Sequence, residues 1–441
     1  MAGARPRGGR LTERAPAASR ARKRVRGEKP LHSPADRTEY SPKVPKAVVH
    51  IGTPKTGTSA IQHFLSTKAH ELMDLGFVTP QRWGRSHSPL TILSRPTECW
   101  DEPCSYQAQR LGFGHKRPTH RDWREIRAQL ESEFQSFARD NLQMTLLFSH
   151  EGLYTRLRTA DVASFRHLLD SAGLDVRILV YLRNPLSFRI SQLGQMIRSG
   201  WYLDLPAAFS PEVPLTGLPR PKWDGAPEQH SEPFEMYASR LAVWEQAFPG
   251  RVTVRIYEDA TRNSANIVTD YCDFAEIVTD EGFETPDRVN VGLSWQILKS
   301  LNEVNKRHNR RALTATGDYN AQRVLPPWAL TPETTGQGFQ ATPEVIAAFN
   351  EYYAESNEAV RTRYFPHRST LWSAGSPASY RDGSLTSGVS PSDFSVADSG
   401  VTSALLKQAK RDRVRHRFPV LRVDRNVGKG ARRLKRLLLP G

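Results

Sequence analysis

Gly52-Thr53-Pro54-Lys55-Thr56-Gly57-Thr58-Ser59 has the residue types of an anion-binding loop. Lys55 brings a full positive charge, and Thr56, Thr58 and Ser59 bring hydroxyl donors. If a strand precedes the loop and a helix follows, backbone N–H groups and the helix dipole converge on the same anion. A Walker A loop ends in Gly-Lys-Ser/Thr, whereas here Lys55 stands two positions before Gly57, so that signature is absent. Three further groups carry chemistry. Arg183 follows the apolar run Val176–Leu182, with Ser191 eight positions later. Tyr257-Glu258-Asp259 follows Val252–Ile256. His150 and Glu151 stand side by side after Thr145–Phe148, where either could take a proton from a bound hydroxyl.

Each of these groups needs a strand to present it. Ala47–Ile51, Thr145–Phe148, Val176–Leu182 and Val252–Ile256 read as buried strands. Between them lie helical stripes. Ile61, Phe64, Leu65 and Leu72 make one. Trp123, Ile126, Leu130, Phe134 and Phe137 make another. Phe165, Leu168 and Leu169 make a third, with Asp161 as the expected cap and Gly173 as the stop. Tyr237, Leu241, Trp244 and Phe248 follow, then Ile267, Val268, Tyr271 and Phe274. Residues 80–122 show no period and read as a long loop or insertion. Alternating strands and helices predict an α/β fold: a central parallel sheet flanked by helices in three layers. Every candidate group then falls at the C-terminal end of a strand, where such sheets bind ligands.

The chain has 441 residues and a formal net charge of +16. Residues 1–45 hold 12 Lys/Arg against 4 Asp/Glu, and residues 375–441 hold 14 against 5. The surplus therefore belongs to the two ends, and a near-neutral body argues against a domain that grips nucleic acid by its phosphates. Residues 1–45 hold few large apolar side chains and are expected to be a disordered basic segment. Residues 46–372 are the expected catalytic domain, and 373–441 a Ser/Gly-rich linker with a basic tail. No apolar run of 18 residues occurs and no secretory h-region is present, while only three cysteines occur. These features point to a cytoplasmic protein in a reducing compartment.

Together the loops resemble the 3′-phosphoadenosine 5′-phosphosulfate (PAPS)-dependent sulfotransferase family over roughly residues 46–310. The family's 5′-phosphosulfate loop has the form P-K-[ST]-G-[ST]-[ST], met here by Pro54-Lys55-Thr56-Gly57-Thr58-Ser59. Its 3′-phosphate motif places an Arg after a strand and a Ser eight positions on, met by Arg183 and Ser191. Tyr257-Glu258-Asp259 matches a third element of the cytosolic members. The resemblance implies a P-loop-like sulfotransferase fold, PAPS as co-substrate, PAP as product and no metal. It implies a hydroxyl acceptor, and similarity to bacterial polysaccharide-type members makes that a carbohydrate or glycolipid. Lys55 would neutralise the leaving oxygen. On the base the resemblance divides: cytosolic members have a His at the place of His150, and many bacterial ones a Glu at the place of Glu151. Adjacent residues on an extended chain face opposite ways, and His150 is the first choice because an unperturbed imidazole titrates near neutrality.

Competing readings are a nucleotide-dependent kinase, which lacks its Gly-Lys-Ser/Thr, and a non-enzymatic polyanion binder acting through the basic ends. Cys99, Cys104, His115 and His120 approach a zinc spacing, but the second interval is short and the ββα pattern missing, so no metal is predicted. Asn305–Arg311 is a basic patch that could close over the nucleotide or form a solvated helix end. Trp201 and Tyr202 could line an acceptor cleft. The tail Arg432–Leu439 could touch an anionic membrane surface. Nothing in the sequence fixes the oligomeric state.

Overall fold

The structure, a computed structural model, describes residues 46–96, 104, 107–108, 111, 120–156, 158–213, 233–264, 266–278, 294–316, 339 and 341–372. The basic ends, Cys99 and His115 lie outside these residues. Five strands form one sheet: β1 Lys46–His50, β2 Phe77–Val78, β3 Thr145–Ser149, β4 Asp175–Leu182 and β5 Val252–Ile256. The order is β2-β3-β1-β4-β5, and every neighbouring pair is parallel. From β1 the chain passes to the edge strand β2, returns inward through β3, then crosses β1 to β4 and the other edge at β5. The crevice between β1 and β4 is therefore the point where the winding reverses, the place at which doubly wound sheets hold ligands.

The alternating strand residues explain the three layers. Ala47, Val49 and Ile51 of β1 and its exit, with Ile178, Val180 and Leu182 of β4, face one helix layer. That layer is built by α4 His120–Asp140, α6 Thr159–Ser171, α9 Tyr237–Ala247 and α14 Ala354–Tyr364. Val48, Leu179 and Tyr181 face the other way, against α1 Thr58–Thr67 and α11 Ile267–Ala275. A separate apolar cluster joins α7 Pro185–Arg198, α8 Leu205–Ala208, α12 Trp295–Thr316 and α13 Pro343–Tyr352 beyond β4. The remaining helices are short: α2 Ala69–Asp74, α3 Pro89–Leu93, α5 Gly152–Arg156 and α10 Tyr257–Asn263. Among the described residues no helix is long and apolar enough to cross a membrane.

Some boundaries differ from those read in the sequence. The expected single helix from Thr58 through Leu72 is two, α1 and α2, broken at Lys68. The stretch taken as loop contains α3, whose Leu90, Ile92 and Leu93 are fully buried; five residues are too few to show a period. The N-cap residue of α6 is Arg158, and Asp161 closes the helix start from the third helical position as the partner in a capping box. It stands in the first turn, accepting the Arg158 amide at 2.8 Å while paired with the buried Arg95. The basic run 305–311 lies within α12.

Arg189 of α7 ties the second helical cluster together. Its Nε donates to Glu235 at 2.9 Å, and its Nη1 donates to the carbonyls of Ala208, Ser210 and Val213 at 2.9–3.0 Å. Both partners of this ion pair are buried. A charge pair taken from water needs its remaining hydrogen-bonding capacity met; three carbonyls meet it on the Arg189 side, while Glu235 Oε2 is buried without a hydrogen-bond partner.

Candidate functional site: an anion loop at the β1–β4 crevice

The loop leaving β1 is built by two close approaches. Gly52, with φ of 100°, lies against the end of β3: a Cβ there would sit 3.0 Å from Glu151 Cα. Gly57, with φ of 81°, turns the chain into α1, and a Cβ there would meet Ile267 Cγ2 at 2.7 Å. Both the left-handed backbone and the contact require glycine. We expect Gly57→Ala to lower stability by about 1–3 kcal/mol, measured by urea denaturation. In an Ile267→Ala background the additional loss should shrink toward the backbone contribution alone.

Inside the loop, Thr53 rather than the predicted threonines is the keystone. Its hydroxyl donates to the Tyr181 carbonyl at 3.0 Å, and its own carbonyl accepts from the hydroxyls of Thr56 at 2.6 Å and Thr58 at 3.2 Å. Thr56 and Thr58 are buried, so both hydroxyls serve the loop's shape. What the loop offers an incoming anion is the row of N–H groups heading α1, which have no intrahelical acceptor. Pro54 is half-buried, and Ser59 is exposed with its carbonyl held by Arg85 at 2.8 Å.

Lys55 adopts a left-handed φ of 67°, an uncommon conformation for a residue with a Cβ. Its carbonyl accepts from Arg183 Nη1 at 2.8 Å, and its Nζ donates to Gln195 Oε1 at 3.0 Å. Burial, with the cationic Arg198 and Arg183 nearby, pulls the Lys55 pKa down to about 8, while Glu151 acts in the opposite sense. Three cations thus gather where β1 and β4 end. Gathered cations raise one another's energy until an anion arrives.

Arg183 follows β4 and is about a quarter exposed. Its guanidinium lies 5.2 Å from the Tyr257 ring centroid, its Nε is 3.7 Å from Glu258 Oε1, and that Nε has no hydrogen-bond acceptor. Glu258 is pushed up by burial and held down in part by Arg183. Asn184 caps α7 by accepting from the Leu186 and Ser187 amides. Tyr237 donates its hydroxyl to the Arg183 carbonyl at 2.7 Å. Ser191 is half-buried on α7, on the same face as Gln195 and Arg198 at helical spacings of four and seven. Gln195 and Arg198 escaped the sequence reading; that spacing from Ser191 was the available signal.

His150 and Glu151 part company as the chain leaves β3. His150 is buried, and its Nε2 is hydrogen-bonded to Thr91 Oγ1 of α3. Its amide donates to the His50 carbonyl at 2.9 Å. Glu151 is half-buried against Gly52, and its charge reaches Lys55. Trp201 and Tyr202 follow α7, and Asn305 of α12 donates to the carbonyls of Ile197 and Trp201 at 2.8 and 2.9 Å. Lys306 Nζ lies 5.0 Å from the Tyr202 ring centroid. Cys104 is buried and His120 opens α4; among the described residues no group of His, Cys, Asp or Glu could hold a metal ion.

No protein-family model and no curated protein matches the chain. Among solved structures, a sulfotransferase from Alicyclobacillus acidocaldarius aligns with 74% of this chain and 96% of its own, at 14% identity and a TM-score of 0.39. So loose a likeness carries no argument about fold or chemistry, which rest on the geometry above.

Proposed function

We propose that the protein transfers a sulfuryl group from PAPS to a hydroxyl acceptor of the carbohydrate or glycolipid class, releasing PAP. The observation that carries this reading is the cluster of Lys55, Arg183 and Arg198 around a helix-heading loop in the β1–β4 crevice, with the Glu151 carboxylate on the facing strand end. The donor set fits a multiply charged nucleotide: loop N–H groups, three cations and the Arg183 Nε that has no acceptor.

The donor supplies a sulfur electrophile whose bond to the phosphate oxygen breaks as the acceptor oxygen attacks in line. Loop N–H groups would hold the phosphosulfate, and Arg183 with Ser191 the 3′-phosphate. Tyr257 would keep the Arg183 guanidinium in place by stacking. Lys55 would meet the charge growing on the departing oxygen. Gln195 would orient the Lys55 ammonium. Glu151 would accept the hydroxyl's proton. It sits beside the loop, while the His150 ring is turned to Thr91, so His150 positions the strand end. No step requires a metal.

Calorimetric titration with PAP in EDTA tests the donor site. We expect micromolar-range binding that Arg183→Ala weakens about 10–100-fold, as loss of a charge-assisted contact does. Mg²⁺-dependent ATP binding without PAP binding would overturn the proposal in favour of a kinase. Glu151→Gln should lower turnover about 10²–10⁴-fold with PAP affinity held, and His150→Ala should cost less; the reverse order would reassign the base.

A further inference from the structure

An acid stands among the cations of the donor site. Glu258, in the first turn of α10, places its Oε1 3.7 Å from Arg183 Nε. That is too long for a hydrogen bond, so the two side chains share charge without fixing each other's geometry. Arg183 is held by other means: its Nη1 donates to the Lys55 carbonyl at 2.8 Å, and its guanidinium lies over the Tyr257 ring. Glu258 is also placed independently, because its Oε1 accepts from the Asn184 amide at 3.4 Å. The neighbouring Asp259 is engaged elsewhere, by Arg262 at 3.7 Å and by Arg368. Removing the Glu258 charge would therefore leave Arg183 where it is.

Both side chains face solvent in part, with 23% of Arg183 and 21% of Glu258 open. A phosphate in contact with that guanidinium would lie roughly 4–7 Å from the carboxylate, where like charges repel appreciably in a half-open site. Burial works against the Glu258 charge and Arg183 works for it. A phosphate that engages Arg183 thus takes away the carboxylate's support, and the two anions compete for one cation.

The rest of the site pulls the other way. Loop N–H groups, Lys55 and Arg198 attract any nucleotide carrying several phosphate charges, product as much as donor, and such uniform binding does nothing for the chemical step. A carboxylate beside Arg183 tempers that attraction at one phosphate.

We propose that Glu258 is an affinity-setting residue: its carboxylate opposes the nucleotide phosphate that Arg183 binds and so speeds the departure of PAP after transfer. This rests on the transfer reaction proposed above and on the assignment of Arg183 to the 3′-phosphate.

Calorimetry on the full chain compares wild type with Glu258→Gln, using PAP and adenosine 5′-phosphate, which lacks the 3′-phosphate. Glutamine keeps an oxygen to accept the Asn184 amide and removes the charge. We expect Glu258→Gln to bind PAP about tenfold more tightly, mostly through slower release in stopped-flow displacement. Its affinity for adenosine 5′-phosphate should stay within about twofold of wild type. Weaker PAP binding by Glu258→Gln would make Glu258 a support for Arg183 and overturn the inference. Unchanged PAP affinity would overturn it too, as would equal tightening of both nucleotides. If Glu258→Gln does not fold, Glu258→Asp, which draws the charge back toward its own backbone, should tighten PAP in smaller measure; no tightening overturns the inference. Absent PAP binding by wild type would sink the transfer reaction alone. Inorganic phosphate then decides on Glu258: it should raise Tm more in Glu258→Gln than in wild type, and less in Arg183→Ala. Equal rises in wild type and Glu258→Gln would overturn the inference.

Discussion

Lys55→Ala should all but abolish turnover, lowering kcat/KM by about 10²–10³-fold or more, the scale for losing a preorganised charge at a developing anion. PAP affinity should fall by about 10–100-fold as a charge-assisted contact disappears. The pH dependence gives a sharper signature. With its pKa drawn down to about 8, Lys55 is cationic below that pH and neutral above it. PAP affinity should therefore be nearly flat from pH 6.5 to 7.5 and fall by up to about tenfold per unit above 8. Lys55→Ala should remove that limb. Lys55→Arg, whose charge persists across the range, should also flatten it while keeping more of the affinity. Titrations between pH 6.5 and 9.5 check all three. A wild-type limb that survives in Lys55→Ala would mean another group titrates.

Acid should unfold this protein through two histidines that take no direct part in the chemistry. His50 and His87 are almost wholly enclosed, and burial lowers both pKa values to about 3. His50 Nδ1 is hydrogen-bonded to Ser149 Oγ at 2.9 Å, with the rings of Tyr181 and Tyr271 edge-on to it. His87 Nδ1 accepts the Ser149 N–H at 3.0 Å, which fixes its other nitrogen as the donor to Thr79. That imidazole stands in for a neighbouring strand, because β2 pairs with β3 only at Thr145 and Leu146. A folded pKa below the unfolded value means stability is fully present above about 6.5 and drains away as pH falls toward 3. Each histidine contributes about 1.4 kcal/mol per pH unit in that window. The two together should cost about 4 kcal/mol between pH 7.5 and 5. Urea midpoints across that range measure it, and His50→Asn or His87→Asn should roughly halve the slope. An unchanged slope would assign the acid sensitivity to carboxylates.

Much of the site is legible in the sequence because each motif follows an apolar strand long enough to be seen. Lys55, Arg183, Tyr257 and Glu151 fall on strand exits for that reason, and parallel pairing of β1 with β3 and β4, and of β4 with β5, brings those exits together. What escapes the sequence is set by contacts distant along the chain. Gln195 reaches Lys55 from 140 positions away. Arg240 reads as an ordinary polar position in an amphipathic helix, and its contacts with the Tyr154 and Phe234 rings emerge only in the fold. The two-residue β2 and five-residue α3 are too short to repeat. The choice between His150 and Glu151 turns on Thr91, which belongs to a helix the sequence conceals.

The Arg189 clamp has a mechanical consequence. One guanidinium holds the carbonyls of Ala208, Ser210 and Val213 and the carboxylate of Glu235, so two separate segments share a single anchor on α7. Neither can lift away without leaving a buried charge short of partners. The two therefore open together or not at all, as one cooperative unit.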